Sequence, residues 1–191
     1  MQKKKRGRPS ADNSQLTKEK IIECAKRLML ENGKAPSVRG IARQLNVDTM
    51  AIYHYFENKN ALLEAVGGSL IAQIYEPTGG MAWEAELEQL CKSYLNLLSE
   101  YSGLLETLLR MQTHGPAMIF KARFDVIIKP LKLSEENRKH ALDLLGDYLH
   151  GVALSISCNP SSATGIRQNA LDGPLQLYIQ GLISSGLTQK S

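Results

Sequence analysis

The chain has 191 residues, 43% hydrophobic and 22% charged, with a net charge of +4, which is enough to bury the core of one large domain or two small ones. No run approaches the roughly 18 apolar residues of a membrane span, and no apolar segment follows the N-terminal charges as in a signal peptide, so a cytoplasmic protein is expected. Cys24, Cys91 and Cys158 stand far apart without CxxC or Cys/His spacing, which argues against a disulfide framework or a zinc site.

Charge is unevenly placed. Residues 1–66 carry 13 Lys and Arg against 7 Asp and Glu, whereas the rest of the chain carries 10 against 12. A basic N-terminal third on a mildly acidic body fits contact with a polyanion; a lysine-rich tail that merely aids solubility is the other reading.

Residues 1–16 are polar, interrupted by Gly7 and Pro9, and lack helical period, so they are expected to form a disordered basic arm. Thr17 is placed to cap a helix in which Ile21, Ile22, Ala25, Leu28 and Met29 recur at helical spacing before Gly33 stops it. Ser37 caps a second run, VRGIARQL, and Asn46 supplies the turn. Asp48 caps a third run, TMAIYHYF, where Ile52 and Phe56 point inward together and leave Thr49, Met50, Tyr53 and His54 outside. A fourth pattern extends from Lys59 to about Tyr75, ahead of Pro77 and Gly79-Gly80. Five more helices are expected at roughly 82–100, 103–114, 116–130, 134–157 and 166–186, divided by Gly103, Gly115-Pro116, Pro130 and a loop from Asn159 to Gly165. The fold class is therefore all-α, with about nine helices. Residues 17–66 read as a DNA-binding domain and residues 67–191 as a second helical domain.

Two short helices joined by a three-residue turn, the second with an apolar inner pair and a polar and aromatic outer face, have the form of a helix-turn-helix. The run Ser37-Val38-Arg39-Gly40-Ile41-Ala42-Arg43-Gln44-Leu45-Asn46-Val47, followed by Ala51-Ile52-Tyr53-His54-Tyr55-Phe56-Glu57-Asn58-Lys59-Asn60-Ala61-Leu62-Leu63, closely resembles the TetR family of transcriptional regulators. Its pattern is R-x-I-A-x-x-L-G-V, then L-Y-x-H-F-x-x-K-x-x-L. Two departures stand out: Asn46 replaces the usual turn glycine, which Asn can do because it tolerates the left-handed region, and Tyr55 stands where His is commonest.

The resemblance implies a repressor that binds a palindromic operator as a dimer and responds to a small-molecule effector. By the same resemblance Thr49, Met50 and Ala51 face base edges, and Arg39 reaches a base or the backbone. Tyr53, His54 and Tyr55 then meet phosphates and adjacent bases, with Lys59 at a phosphate-binding helix N-terminus. Met50 and Ala51 cannot form bidentate hydrogen bonds, so apolar contact with a thymine methyl is their expected contribution. In the arm, Lys3, Lys4, Lys5, Arg6 and Arg8 surround an Arg-Gly-Arg-Pro core that resembles an AT-hook. It would enter a narrow A·T-rich minor groove or act as a nonspecific phosphate-attracting tail.

The family likeness further implies that the last two long helices pair with their copies in a homodimer. Leu142, Leu145, Leu149, Val152 and Ile156 on one, and Leu175, Leu177, Tyr178, Leu182 and Ile183 on the other, form stripes suited to core or interface. A ligand pocket is expected among Trp83, Tyr94, Met111, His114, Met118, Phe124 and Tyr148, with Tyr101 and Phe120 nearby; adaptable Met beside aromatics suits a mostly apolar small molecule, and plain core packing is the alternative. No cofactor, metal or catalytic residue is expected: His150 lies three residues from Asp147, but no nucleophile or phosphate-loop signature accompanies it. An architectural DNA binder without an effector is a second functional class open to the sequence.

Overall fold

The computed structural model describes residues 16–111, 115–159 and 163–187. The arm residues Lys3, Lys4, Lys5, Arg6 and Arg8, and His114 of the expected pocket, lie outside them. Among the described residues the fold is all-α: α1 (Lys18–Asn32), α2 (Val38–Leu45), α3 (Thr49–Tyr53), α4 (Lys59–Ile71), α5 (Trp83–Glu100), α6 (Leu104–Leu109), α7 (Gly115–Ile128), α8 (Glu135–Cys158) and α9 (Ala163–Leu187), with a 3₁₀ turn at Lys129–Leu131.

Short polar side chains start the helices by accepting hydrogen bonds from first-turn amides that lack intrahelical partners. Thr17 accepts from Lys20 N at 3.3 Å, Ser37 from Gly40 N at 3.0 Å, Asp48 from Met50 N at 2.7 Å, Asn58 from Ala61 N at 2.9 Å and Ser134 from Asn137 N at 3.1 Å. Gly33 ends α1 at φ 64°, and Asn46 ends α2 at φ 53°, the left-handed turn that permits Asn in place of Gly.

Several boundaries differ from those the periodicity predicts. Helix α3 ends at Tyr53, because the amides of Tyr55 and Phe56 both turn back onto the Ile52 carbonyl, at 3.0 and 3.2 Å. Helix α4 ends at Ile71 rather than near Tyr75. There the Arg123 guanidinium of α7 donates to the carbonyls of Ala72 at 2.8 Å and Ile74 at 2.6 Å, with a longer contact to Ile71 at 3.4 Å. Helix α6 is only six residues long, and α9 starts at Ala163, inside the segment expected as loop. Pro174 lies within α9 on its exposed side.

Helices α1 to α4 bury Ile21, Ala25, Met29, Ile41, Ile52, Leu62 and Val66 in a core continuous with that of the later helices. Helix α4 is the shared element, packed against α1 on one side and against α5, α6 and α7 on the other. Two glycines mark close approaches in this region, of which only Gly103 leaves no room at all for a side chain. A Cβ on Gly103 would sit 2.5 Å from Lys34 Cα, and one on Gly67 would sit 3.1 Å from Met111 Cε and 3.4 Å from Pro116 Cγ. The α4–α5 connection folds around the buried Glu86, whose Oε1 accepts from Gly79 N at 2.7 Å and Thr78 N at 3.0 Å.

We expect Gly103→Ala to cost about 1–3 kcal/mol by overpacking backbone against backbone. Gly68→Ala, where nothing lies within 4 Å of the added methyl, should instead stabilise by about 0.4–1 kcal/mol. Urea melts of the two variants check the opposite signs. Arg123→Ala removes charged donors from the end of α4 and should lower the melting temperature by about 4–8 °C, on the order of 2 kcal/mol; an unchanged thermal midpoint would refute this account of the α4 terminus.

Candidate nucleic-acid interface

Helix α3 is short and is held from beneath by its buried side chains. Ile52 is fully buried and Phe56 nearly so, while Met50 is 61% exposed and Tyr53 41% exposed. Large apolar and aromatic surface on a five-residue helix is costly in water unless it meets another surface. Thr49 and Ala51 are half-buried beside them, and His54 is exposed. The Asp48 cap fixes the N-terminal end of α3, the end that enters a groove first in helix-turn-helix docking.

Cations flank this surface. Arg39 and Arg43 stand one turn apart on the exposed side of α2, and Lys59 opens α4. Among the described residues, no carboxylate forms an ion pair with any of the three, whereas Lys26, Lys92, Arg110, Lys121, Arg138 and Lys139 are all engaged with Asp or Glu elsewhere. Arg43, which is not among the residues the family resemblance points to, shares the exposed face with Arg39 through their i, i+4 spacing.

Tyr55 has a different setting from its neighbours. Its hydroxyl donates to the Leu16 carbonyl, 39 residues earlier, just before α1. The Lys18 ammonium lies 5.2 Å from the centroid of the Phe56 ring. The start of α1 is thus tied to the segment that follows α3.

The residues expected around a ligand do not gather at one cavity. Tyr94 and Phe124 are buried, and the Tyr94 ring lies 4.9 Å from that of Phe120. Trp83 is half-buried at the start of α5, and Met118 is 54% exposed. Met111 lines a cleft of about 630 Å³ between α4 and α6, together with Lys59, Glu64 and Arg110. Tyr148 lines a separate apolar hollow of about 320 Å³ on α8 and α9.

A third groove, about 540 Å³, runs between α6 and α8 past Leu105, Leu109, Leu154 and His150. His150 Nε2 lies 2.8 Å from the Tyr94 hydroxyl. Burial lowers the His150 pKa, opposed by Asp147, and burial raises that of Tyr94. Both groups are held in their neutral forms near neutral pH. No group of His, Cys, Asp and Glu among the described residues could hold a metal ion, and none of their helices is long and apolar enough to cross a membrane.

Residues 21–66 match the family model described as bacterial regulatory proteins, tetR family. The chain is 27% identical over 144 residues to the HTH-type transcriptional repressor DrrR1 of Streptomyces coeruleorubidus, covering 73% of this chain and 53% of that protein. It spans about half the length of the curated relatives it matches.

Among solved structures, BioQ of Mycobacterium smegmatis superposes with a TM-score of 0.77 at 20% identity, over 89% of this chain and 99% of that one. BioQ with its double-stranded DNA operator gives 0.71 at 21% identity over the same shares. ActR of Streptomyces coelicolor in complex with actinorhodin gives 0.71 at 20% identity, over 90% of this chain and 97% of that one. At these identities the structural likeness is one of fold. Together these likenesses show a helix-turn-helix segment at residues 21–66 similar to that of the tetR family of bacterial regulatory proteins, on a chain that shares the all-α fold of BioQ and ActR.

Proposed function

We propose that the chain is a ligand-responsive transcriptional repressor that binds a palindromic operator as a homodimer. The observation that carries this reading is the exposed face of α3, with Met50 and Tyr53 outermost, flanked by the unpaired cations Arg39, Arg43 and Lys59. In this reading α3 lies in the major groove, with Thr49, Met50 and Ala51 toward base edges. Arg39 offers bidentate hydrogen bonds, and Tyr53, His54 and Lys59 hold the phosphates. Such work belongs in the cytoplasm, with residues up to about 66 serving DNA and residues 67–191 serving ligand and partner.

Helices α8 and α9 supply the partner surface. Leu144, Leu154 and Leu177 are 62%, 57% and 72% exposed, an unusual apolar area to leave in water. Gly146, Gly151, Gly173 and Gly181 have nothing within 4 Å of where a Cβ would stand, so a second backbone can approach closely there. A two-fold pairing of these helices would set two copies of α3 about 34 Å apart, one DNA turn.

In this reading the effector lies in the groove between α6 and α8, where His150 stands among Leu105, Leu109 and Leu154, with Glu106 and Arg110 also in the lining. Such a lining suits a largely apolar molecule with a few polar groups. The solved complexes of BioQ with operator DNA and of ActR with actinorhodin support the two halves of this reading. Ligand-driven movement of α6 would reach DNA through α4, which is wedged at Gly67 against Met111 and Pro116.

A footprint on duplexes recovered by the protein from a random-sequence library tests the whole reading; a protected palindrome supports it, and broad A·T-rich protection without symmetry would favour an architectural binder instead. Arg39→Ala should lower discrimination between the recovered site and its single-base variants by about 1–3 kcal/mol, whereas Lys59→Ala should weaken all duplexes alike and reduce the salt slope by about one. Equal specificity ratios for wild type and Arg39→Ala in gel shifts would remove Arg39 from base reading. Leu177→Glu should yield a folded monomer in sedimentation, with site affinity reduced by two or more orders of magnitude; a dimer that persists would place the interface elsewhere.

A further inference from the structure

We infer that the cleft between α4 and α6 is a second small-molecule site, built for an amphipathic zwitterion, the class of apolar amino acids and short apolar peptides. Its occupant shares Lys59 with the DNA surface. The site is distinct from the effector groove between α6 and α8, and only its effect on DNA rests on the reading proposed above.

The cleft holds about 630 Å³, within the range of small-molecule sites. Its walls come from Lys34 and Ala35 in the α1–α2 link, from the start of α4 and the residues just before it, and from α6. Lys34, Lys59 and Arg110 stand around it with Glu57, Glu64 and Glu106, three cations and three carboxylates. Arg110 and Glu106 pair with each other at 2.8 Å. Among the described residues the other four form no ion pair, although both signs border one cleft. Glu64 is half-buried and set in place: a Cβ on Gly115, the first residue of α7, would sit 2.7 Å from its Oε1. Leu63 and Met111, both half-buried, add apolar surface to the same lining.

This pattern selects a ligand class. A simple anion meets three carboxylates and a simple cation meets three cations, so neither gains much over water. A zwitterion can give its carboxylate to Lys34 and Lys59 and its ammonium to Glu64, making charge-assisted hydrogen bonds that the protein leaves open. Its apolar body then covers Leu63 and Met111. A carboxylate held by Lys59 takes that charge from a DNA phosphate, so ligand and operator compete for one side chain. Glu106 and Arg110 also border the groove toward α8, which places the two ligand sites on either side of α6.

The test is calorimetry on the full chain with two probes, free leucine and the dipeptide Leu-Leu. N-acetyl-leucine and leucine amide serve as single-charge controls. We expect saturable binding of at least one zwitterion and binding at least about 10-fold weaker for both controls. Glu64→Gln and Lys34→Gln should each lower zwitterion affinity about 10- to 100-fold. In gel shifts with a duplex recovered from a random library, saturating zwitterion should weaken wild-type binding about 10-fold, the loss of one charge-assisted phosphate contact. The same probe concentration should have a smaller effect on Glu64→Gln.

No saturable heat from either probe at millimolar concentration would overturn the proposal. So would binding that both Glu64→Gln and Lys34→Gln leave intact, or N-acetyl-leucine binding as tightly as leucine. Loss of leucine binding in Leu154→Ser, with none in Glu64→Gln, would move the ligand to the groove toward α8 and overturn it as well. Zwitterion binding without any change in duplex affinity would overturn the competition at Lys59. Melting curves of each variant separate misfolding from a lost contact, and Lys34, being exposed, keeps the test open where Glu64→Gln does not fold. A wild-type chain that recovers no duplex would refute the DNA-binding reading and leave the calorimetric test of the cleft in force.

Discussion

The structure turns on how α4 is seated. One face packs against α1, and the other lies on α5, α6 and α7. Its start carries Lys59 at the proposed DNA surface, and its end delivers its carbonyls to the Arg123 guanidinium. Gly67 allows Met111 and Pro116 to press against its middle. A rigid rod fixed at both ends and wedged at its centre transmits small displacements, because close-packed interfaces shift between arrangements rather than deform smoothly. The Gly103 contact with Lys34 adds a second link, backbone on backbone, between the end of α1 and the start of α6.

The exposed face around α3 and the body of the protein differ in their electrostatics. Around the body, lysines and arginines are largely committed to neighbouring carboxylates, mostly at i, i+4 spacing. These exposed pairs contribute little stability, but they neutralise the surface. Around α3, Arg39, Arg43 and Lys59 form no ion pair with a carboxylate among the described residues, which leaves the proposed DNA surface positively charged. In the interior, His150 and Tyr94 satisfy each other as a neutral pair. A polar point is thereby kept inside an apolar groove without burying a charge, which would cost far more.

The helix-turn-helix was legible because each signal is local: Ser37, Asp48 and Thr17 cap within three residues, Asn46 takes the left-handed turn, and Ile52 and Phe56 bury one face by their spacing alone. The i, i+4 spacing of Arg39 and Arg43 likewise puts both on one face of α2 by local geometry alone. The ligand pocket was not legible in the same way. A cluster of Met and aromatic residues in the sequence does not define a cavity, and the structure distributes Met111, Met118 and Tyr148 over different surfaces.

The sequence by itself determined the helices, their caps, their amphipathic faces and the concentration of positive charge in the first third, since all of these arise from interactions within a few residues. Only the tertiary structure decided where α3 and α4 stop, because those ends depend on Ile52 receiving two amides and on Arg123 arriving from α7. It alone brought Tyr55 to Leu16, His150 to Tyr94 and Lys34 to Gly103. Each of these joins residues far apart in the chain, and such partners are selected by how finished helices pack, which no local pattern encodes.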